Sequence, residues 1–267
     1  MARTIAVNTN TYHGFTLDQA LSGISAAGFK YVELCAVKGW TEHVMPYMGK
    51  DELSAVKRKL ANLGLEPVAL SGHCSITDPE RLPDFIENIK LAAFFGCRFI
   101  VTSIDEAHLK KEQKEKITSL VDILEELAGV CRQHDLVLAL ETHGKEYGSG
   151  ESIFNLLKDV KVDNVKINFD TANVIMYGNK DPVEDLRVCK SKLGFIHLKD
   201  KLGPPEEWNF PALGAGYVDF PAIFDLVEDD VVMSIEIEFT SAGPKDLEEV
   251  NQAVKDSYDY LKSIGKI

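Results

Sequence analysis

A chain of 267 residues, 45% hydrophobic and 27% charged, has enough apolar material for one large core and an ordinary solvated surface, which excludes intrinsic disorder. Its 29 Lys and Arg stand against 42 Asp and Glu, a formal net charge of −13, so the molecule repels polyanions and a nucleic-acid partner is disfavoured. Its longest near-apolar runs, such as residues 91–95, are core-sized and fall far short of the roughly 20 residues of a membrane-spanning helix, so no membrane partner is expected.

The chain enters a strand at 4–8 almost at once, with no basic segment and long apolar run ahead of it, and a cytoplasmic location is expected. Thr16-Leu-Asp-Gln is a capping-box-like opening for a helix that runs to Gly28. A strand at 31–35 is followed by a helix at 51–63 that stops at Gly64. After the strand at 67–71, Asp78-Pro79 precedes a helix carrying Leu82, Phe85, Ile86, Ile89, Ala92 and Ala93 at helical spacing, ended by Gly96. The strand at 98–103 leads to the longest helix, 111–134, with Ile117, Leu120, Val121, Leu124, Leu127, Ala128 and Cys131 on one stripe. Strands at 137–141, 165–170, 195–199 and 232–238 alternate with helices at 152–158, 182–190, 220–227 and 247–264.

Eight strand-helix units without an interrupting linker predict a single α/β domain over 1–267, a closed (β/α)8 TIM barrel. The competing doubly wound open sheet would be long at eight units. It also lacks its glycine fingerprint, since the first strand runs into Asn8-Thr-Asn-Thr-Tyr-His-Gly14. Gly148-Ser149-Gly150 has no Gly-Lys-Ser/Thr continuation and reads as a turn. The five cysteines are widely spaced, form no C-x-x-C pair and read as reduced packing residues.

Active sites of such barrels lie at the carboxyl ends of the strands, and those ends are rich in metal-ligand side chains. Strand two carries Glu33 and strand three runs into His73. Strand five ends Glu141-Thr-His143 and strand six ends Asn168-Phe-Asp170. Strand seven holds His197, Lys199 and Asp200, and strand eight Glu236 and Glu238. Alternation turns Glu141, His143, Asn168, Asp170, His197, Lys199, Glu236 and Glu238 toward the axis, while Leu138, Leu140, Ile167, Phe169, Ile235 and Ile237 face the helices. Converging carboxylates repel one another unless a cation sits among them. Two Glu, one Asp and one His are mixed oxygen and nitrogen donors suited to one divalent metal ion: Mn, Mg, Co or Zn. Glu33 and His73 are read as substrate contacts or polar core positions, His143 and Asp200 as partners that orient ligands. His13, His43, His108 and His134 are assigned to solvent.

Leu140-Glu-Thr-His-Gly144, Asn168-Phe-Asp-Thr-Ala-Asn173, His197-Leu-Lys-Asp200, Ala212-Leu-Gly-Ala-Gly-Tyr-Val-Asp-Phe220 and Ser234-Ile-Glu-Ile-Glu238, in this order, resemble the xylose isomerase-like barrels, in their sugar phosphate isomerase/epimerase branch. The resemblance implies that Glu141, Asp170, His197 and Glu236 hold the metal and that Glu141 and Glu236 are the proton-transfer pair. The chain departs from the family pattern at Asn173, where many relatives carry His, and at Ala215, where many carry Glu. It also has no counterpart of a late arginine, whose charge Lys199 can supply. His73, Asn173, Lys199, Glu33 and Trp208 are then expected substrate contacts, and Trp208 and Phe210 either stack on the sugar or anchor their loop as hydrophobic residues.

The expected reaction is isomerisation or epimerisation of a sugar or sugar phosphate by proton abstraction next to a carbonyl, through an enediolate. The alternatives are elimination from a keto-sugar or keto-glycoside, phosphodiester hydrolysis as in the endonuclease members of the same superfamily, and a non-catalytic sugar-binding barrel. Seven His and the negative charge speak against the endonuclease. The expected partner is a small sugar-derived molecule, with homo-oligomerisation through exposed helices left open.

Overall fold

The computed structural model describes residues 3–104 and 120–267. The strands are β1 (Ile5–Asn8), β2 (Tyr31–Cys35), β3 (Glu66–Ser71), β4 (Phe99–Thr102), β5 (Val137–Glu141), β6 (Val165–Asp170), β7 (Leu193–Leu198), β8 (Asn209–Phe210), β9 (Val232–Ile235) and β10 (Phe239–Thr240). β1 to β7 and β9 pair in chain order, all parallel, and β9 returns to β1, which closes the expected eight-stranded barrel. β8 and β10 stand outside it as a small antiparallel ribbon, with Phe239 opposite Phe210. The helices are α1 (Leu17–Ala27), α2 (Lys50–Leu63), α3 (Leu82–Phe95), α4 (Leu120–Arg132), α5 (Gly144–Tyr147), α6 (Gly150–Leu156), α7 (Asn173–Met176), α8 (Pro182–Cys189), α9 (Phe220–Leu226) and α10 (Leu247–Ser263). Of the long helix expected over 111–134, the part before Leu120, including Ile117, lies outside the described residues, as does His108.

Local chemistry sets the helix ends. Thr16 and Gln19 form a reciprocal capping box at α1, and Gly28, Gly64 and Gly96 end α1, α2 and α3 in the left-handed conformation that costs a residue without Cβ least. Ser149 caps α6, so Gly148-Ser149-Gly150 is the turn the sequence predicts. The amide groups at that helix start are taken by Asp185, which accepts from Gly150 N at 2.6 Å and Glu151 N at 3.1 Å. All five cysteines are free and buried. Among the described residues no helix is long and apolar enough to cross a membrane.

Strand alternation divides the apolar residues into two bodies. Ala6, Val68, Ala69, Phe99, Val101, Ala139, Phe195 and Val232 pack inside the barrel. Leu138, Leu140, Ile167, Phe169, Ile196, Leu198, Met233, Ile235 and Ile237 pack outward beneath the helices. Above the interior layer the inward positions turn polar at the carboxyl ends of the strands. Asn8, Glu33, Asn168, Asp170 and His197 are fully buried there, and Glu141 and Glu236 nearly so.

One boundary differs with consequence. The strand expected over 232–238 leaves the barrel after Ile235, because Ile237 N donates to Thr11 Oγ1 at 3.0 Å and Phe239 takes a left-handed backbone (φ 58°) that turns the chain into the ribbon. Glu236 N still donates to Leu198 O at 3.1 Å, so Glu236 keeps its inward direction.

Candidate active site

His197, on β7, stands at the centre of the polar end. Its Nε2 lies 3.0 Å from Glu33 Oε2, and its Nδ1 lies 2.8 Å from Glu141 Oε1, 3.7 Å from Glu236 Oε2 and 4.0 Å from Asp170 Oδ2. A proton on Nε2 directed to Glu33 leaves Nδ1 as the nitrogen that faces the three other acids. One donor atom each from Glu141, Asp170, His197 and Glu236 lie within 4.8 Å of one another, all four side chains buried. Asp170 Oδ2 is buried without a hydrogen-bond partner, while Oδ1 accepts from Ala172 N and Asn173 N. An orphaned carboxylate oxygen aimed among two further carboxylates and an imidazole nitrogen suits a divalent cation, and the absence of thiolate suits a hard or borderline one.

Before a cation binds, burial and mutual charge distort the titration of these groups in both directions. Burial pushes the Asp170 carboxyl up to about 7, with Glu141 and Glu236 adding to the rise against Lys199, and burial likewise pushes Glu238 up to about 7. At Glu141 burial is outweighed by the His73 and His197 rings, and at Glu236 by Lys199 and His197, so both carboxyls are held below their usual range. His197 and Lys199 are raised well above theirs, because the surrounding acids outweigh the burial.

The buried ammonium of Lys199 lies 3.1 Å from Glu236 Oε2 and 3.7 Å from Asp170 Oδ2, pairs with Glu238, and rests 4.6 Å from the centre of the Phe210 ring. On the other side His73 accepts the Ser103 backbone N–H at Nδ1 (3.0 Å), which places its proton on Nε2, 3.2 Å from Glu141 Oε2. His143 packs against Tyr177 with ring centres 4.8 Å apart. Lys199, Glu236, Glu238, His73, Ser103, Glu141, His143 and Tyr177 line a cavity of about 340 Å³ together with Asn10, Cys35, Trp40, Ser71, Asn173 and Trp208.

The expected site residues therefore fall into three groups. Glu141, Glu236, His73, His143, Asn173, Lys199 and Trp208 share the cavity wall, with Asp170 and His197 beneath. Glu33 does not line it: fully buried, it spends its carboxylate on His197 Nε2. Asp200 is directed at backbone rather than at a ligand, accepting from Lys201 N, Gly214 N, Gly216 N and Val218 N at 2.8–3.1 Å and so tying down the long segment after β7. Phe210 is buried beneath Lys199 and packs edge-on against Trp208, so Trp208 alone of that pair reaches the cavity. His43, assigned to solvent, is buried with Nε2 on Phe15 O at 2.9 Å, whereas His134 is exposed. His13 is exposed but stacks on Trp40 with ring centres 4.1 Å apart.

The profile of the xylose isomerase-like TIM barrel family matches residues 21–264, nearly the whole chain. The chain belongs to that family. Among curated proteins it is similar to inosose dehydratase of Geobacillus kaustophilus (strain HTA426), 23% identical over 250 residues that cover 81% of this chain and 77% of that protein. Among solved structures, a xylose isomerase-like TIM barrel protein from Mycobacterium smegmatis in complex with magnesium superposes with a TM-score of 0.75 at 18% identity, covering 98% of this chain and 97% of that one. An L-ribulose 3-epimerase superposes with a TM-score of 0.73 at 19% identity, covering 100% and 95%. At these identities the superpositions establish the fold.

This xylose isomerase-like barrel also uses residues that the strand-end reading passed over. Asn10 donates to Glu236 Oε1 at 3.0 Å and to Glu238 Oε1 at 3.4 Å, and accepts from Trp40 Nε1 at 3.1 Å and Thr41 Oγ1 at 2.7 Å. Asn8 adds a bond to Glu236 Oε1 at 3.2 Å. Asn8 ends β1 and Asn10 follows two residues later, so the strand-end rule finds this pair once applied to strand one. The same rule applied to strand four finds Ser103, whose N–H and Oγ lie 3.0 and 3.3 Å from His73 Nδ1, whereas Tyr177 acts through ring packing and carried no such signal.

Proposed function

We propose that this chain is a divalent-metal-dependent sugar isomerase or epimerase that removes and returns a proton next to a carbonyl, through an enediolate. The observation that carries this reading is the pair Glu141 and Glu236, two buried carboxylates 2.8 and 3.7 Å from His197 Nδ1, the first held by His73 and the second by Asn8, Asn10 and Lys199. A divalent ion held by Glu141, Asp170, His197 and Glu236 supplies Lewis-acid polarisation of the carbonyl and stabilises the negative charge that develops on it.

Glu141 is held on Oε2 by His73 Nε2, and its Oε1 faces His197 Nδ1 at 2.8 Å. Glu236 is fixed by Asn8 and Asn10 on one oxygen and by Lys199 on the other. One of these carboxylates takes the proton as the C–H bond breaks, and the other delivers a proton to the opposite face or to the adjacent carbon. Lys199 contacts hydroxyls or the developing oxyanion, His73 lines the site with its one N–H kept on Glu141, Asn173 contacts a hydroxyl, and Trp208 covers the sugar ring and excludes water. The similarity to an L-ribulose 3-epimerase and the open lining of the cavity beside the acids support a small sugar-derived substrate. A cytoplasmic location accompanies this reading.

Elimination of water from a keto-sugar is the second reading, favoured by one finding, that the curated relative is a dehydratase acting on an inosose. It uses the same proton abstraction and differs in the fate of the enediolate.

The test is proton NMR in D2O with the protein loaded with diamagnetic Mg2+ and a panel of keto-sugars. C–H exchange that chelation abolishes, and that Glu236→Gln slows by about 10²–10⁴-fold, is the expected result. A Glu236→Gln protein that exchanges at the full rate removes the two-glutamate mechanism, and the products separate epimerisation from elimination.

A further inference from the structure

The cavity over the acids adjoins a second one. A cleft of about 450 Å³ lies between the segment after β1 and the segment that leaves β9, walled by His13, Trp40, Trp208, Phe239, Thr240 and Ala242. Asn10, Trp40, Trp208 and Glu238 line both spaces, so the two are adjoining lobes that meet at the tryptophans.

This second lobe is shaped by specific contacts. Trp40 is fixed by a hydrogen bond from its Nε1 to Asn10 Oδ1 at 3.1 Å and by the His13 ring stacked on it at an interplanar angle of 12°. His13 is in turn tied to Thr41 Oγ1 at 2.8 Å. Trp208 is held edge-on by the buried Phe210, which the β8–β10 ribbon pairs with Phe239. Phe239 is held with φ 58°, a conformation that disfavours a bulky side chain, at the place where the chain turns from the catalytic segment to the wall of the cleft. Aromatic faces with polar rims of Asn10, Thr11, Thr240 and Ser241 match a sugar ring, which is apolar on its C–H faces and polar at its edge.

Building on the function proposed above, we infer that the substrate is a two-unit carbohydrate: a keto-sugar ring over Glu141 and Glu236, carrying a second glycosyl unit that lies in the cleft beyond Trp40 and Trp208. A free monosaccharide leaves the second lobe unused. The bond between the units then passes between the tryptophans and alongside Glu238, which faces both lobes.

Trp40 and Trp208 are the chain's two tryptophans, so all indole fluorescence originates where the lobes meet. The experiment titrates the Mg2+-loaded full chain with D-fructose, and with turanose and isomaltulose, which are fructose carrying a glucosyl unit. It repeats the titrations on Ala242→Phe, which fills the second lobe from an exposed loop position. At least one disaccharide is expected to bind tenfold or more tightly than D-fructose, and Ala242→Phe is expected to reduce that advantage to less than twofold. Disaccharides that bind no more tightly than D-fructose, or that show no binding, overturn the inference, as does a preference that survives Ala242→Phe. C–H exchange in D2O separates this from the parent reading. Exchange with D-fructose but no disaccharide preference removes the two-unit substrate and keeps the chemistry, whereas preference without exchange keeps the two-unit ligand and removes the chemistry.

Discussion

Glu33 and His197 face each other inside the barrel, carboxylate to Nε2 at 3.0 Å, with neither side chain exposed to solvent. A carboxylate behind an imidazole fixes its tautomer and raises the basicity of the nitrogen on the far side. Glu33→Gln keeps an acceptor and removes the charge, and is expected to weaken Mn2+ binding by about 10- to 100-fold while the fold persists. Calorimetric titration of the metal checks this, and an unchanged affinity removes Glu33 from the support of the site.

His73 reaches the same machinery from strand three. Its Nε2 proton is directed at Glu141 because the Ser103 backbone N–H occupies Nδ1. A hydrogen bond to a charged group contributes about 1.5–3 kcal/mol. His73→Phe should therefore slow C–H exchange by about 10- to 100-fold. Metal affinity serves as the control: a variant that loses metal and rate in parallel assigns His73 to binding the ion instead of holding Glu141.

The barrel was legible in the sequence because its signals are repeated: eight strand candidates, each followed by a helical stripe, coincide with the eight paired strands. Parity carried the inward direction of the acids without any knowledge of register, since a period of two needs only one anchored residue. Composition and spacing could not show how far each acid stands from the cavity. Glu33 and Asp200 are acids at strand ends like Asp170, yet one is a buried counter-charge and the other a clamp on backbone. His43 was misplaced for the same reason, because its burial depends on a non-local bond to Phe15 O. The split of the last strand was also hidden, since Thr11 captures the Ile237 N–H across 226 positions of sequence.

Asp200 offers two oxygens to four backbone N–H groups, two apiece. Asp200→Asn presents an NH2 where two of those donors point, leaving them unpaired. A loss of about 2–4 kcal/mol in unfolding free energy is expected, read from urea denaturation followed by circular dichroism. A variant as stable as the parent would show that the segment carrying Trp208 is held by other contacts.

His43 gives a prediction in pH. Burial lowers its affinity for a proton, with the His13 ring acting in the same direction against the bond to Phe15 O, and its Nδ1 is buried without a partner. The unfolded chain takes up this proton near pH 6.5, above the folded value, so the stabilising contribution is complete above about pH 6.5 and is lost as pH falls through the folded value. His43→Gln keeps a donor for Phe15 O and cannot titrate. The parent should lose more stability than this variant between pH 7.5 and 5.5, and parallel losses would assign the acid sensitivity to other groups.

Val68, Phe99, Phe195 and Val232 fill the barrel beneath the acids. The end opposite the proposed proton-transfer pair is thereby stoppered, so ligands come and go at the carboxyl ends of the strands. Whatever is made over Glu141 and Glu236 leaves by the end at which its precursor entered, so product and substrate contend for the same space, and accumulated product is expected to inhibit competitively.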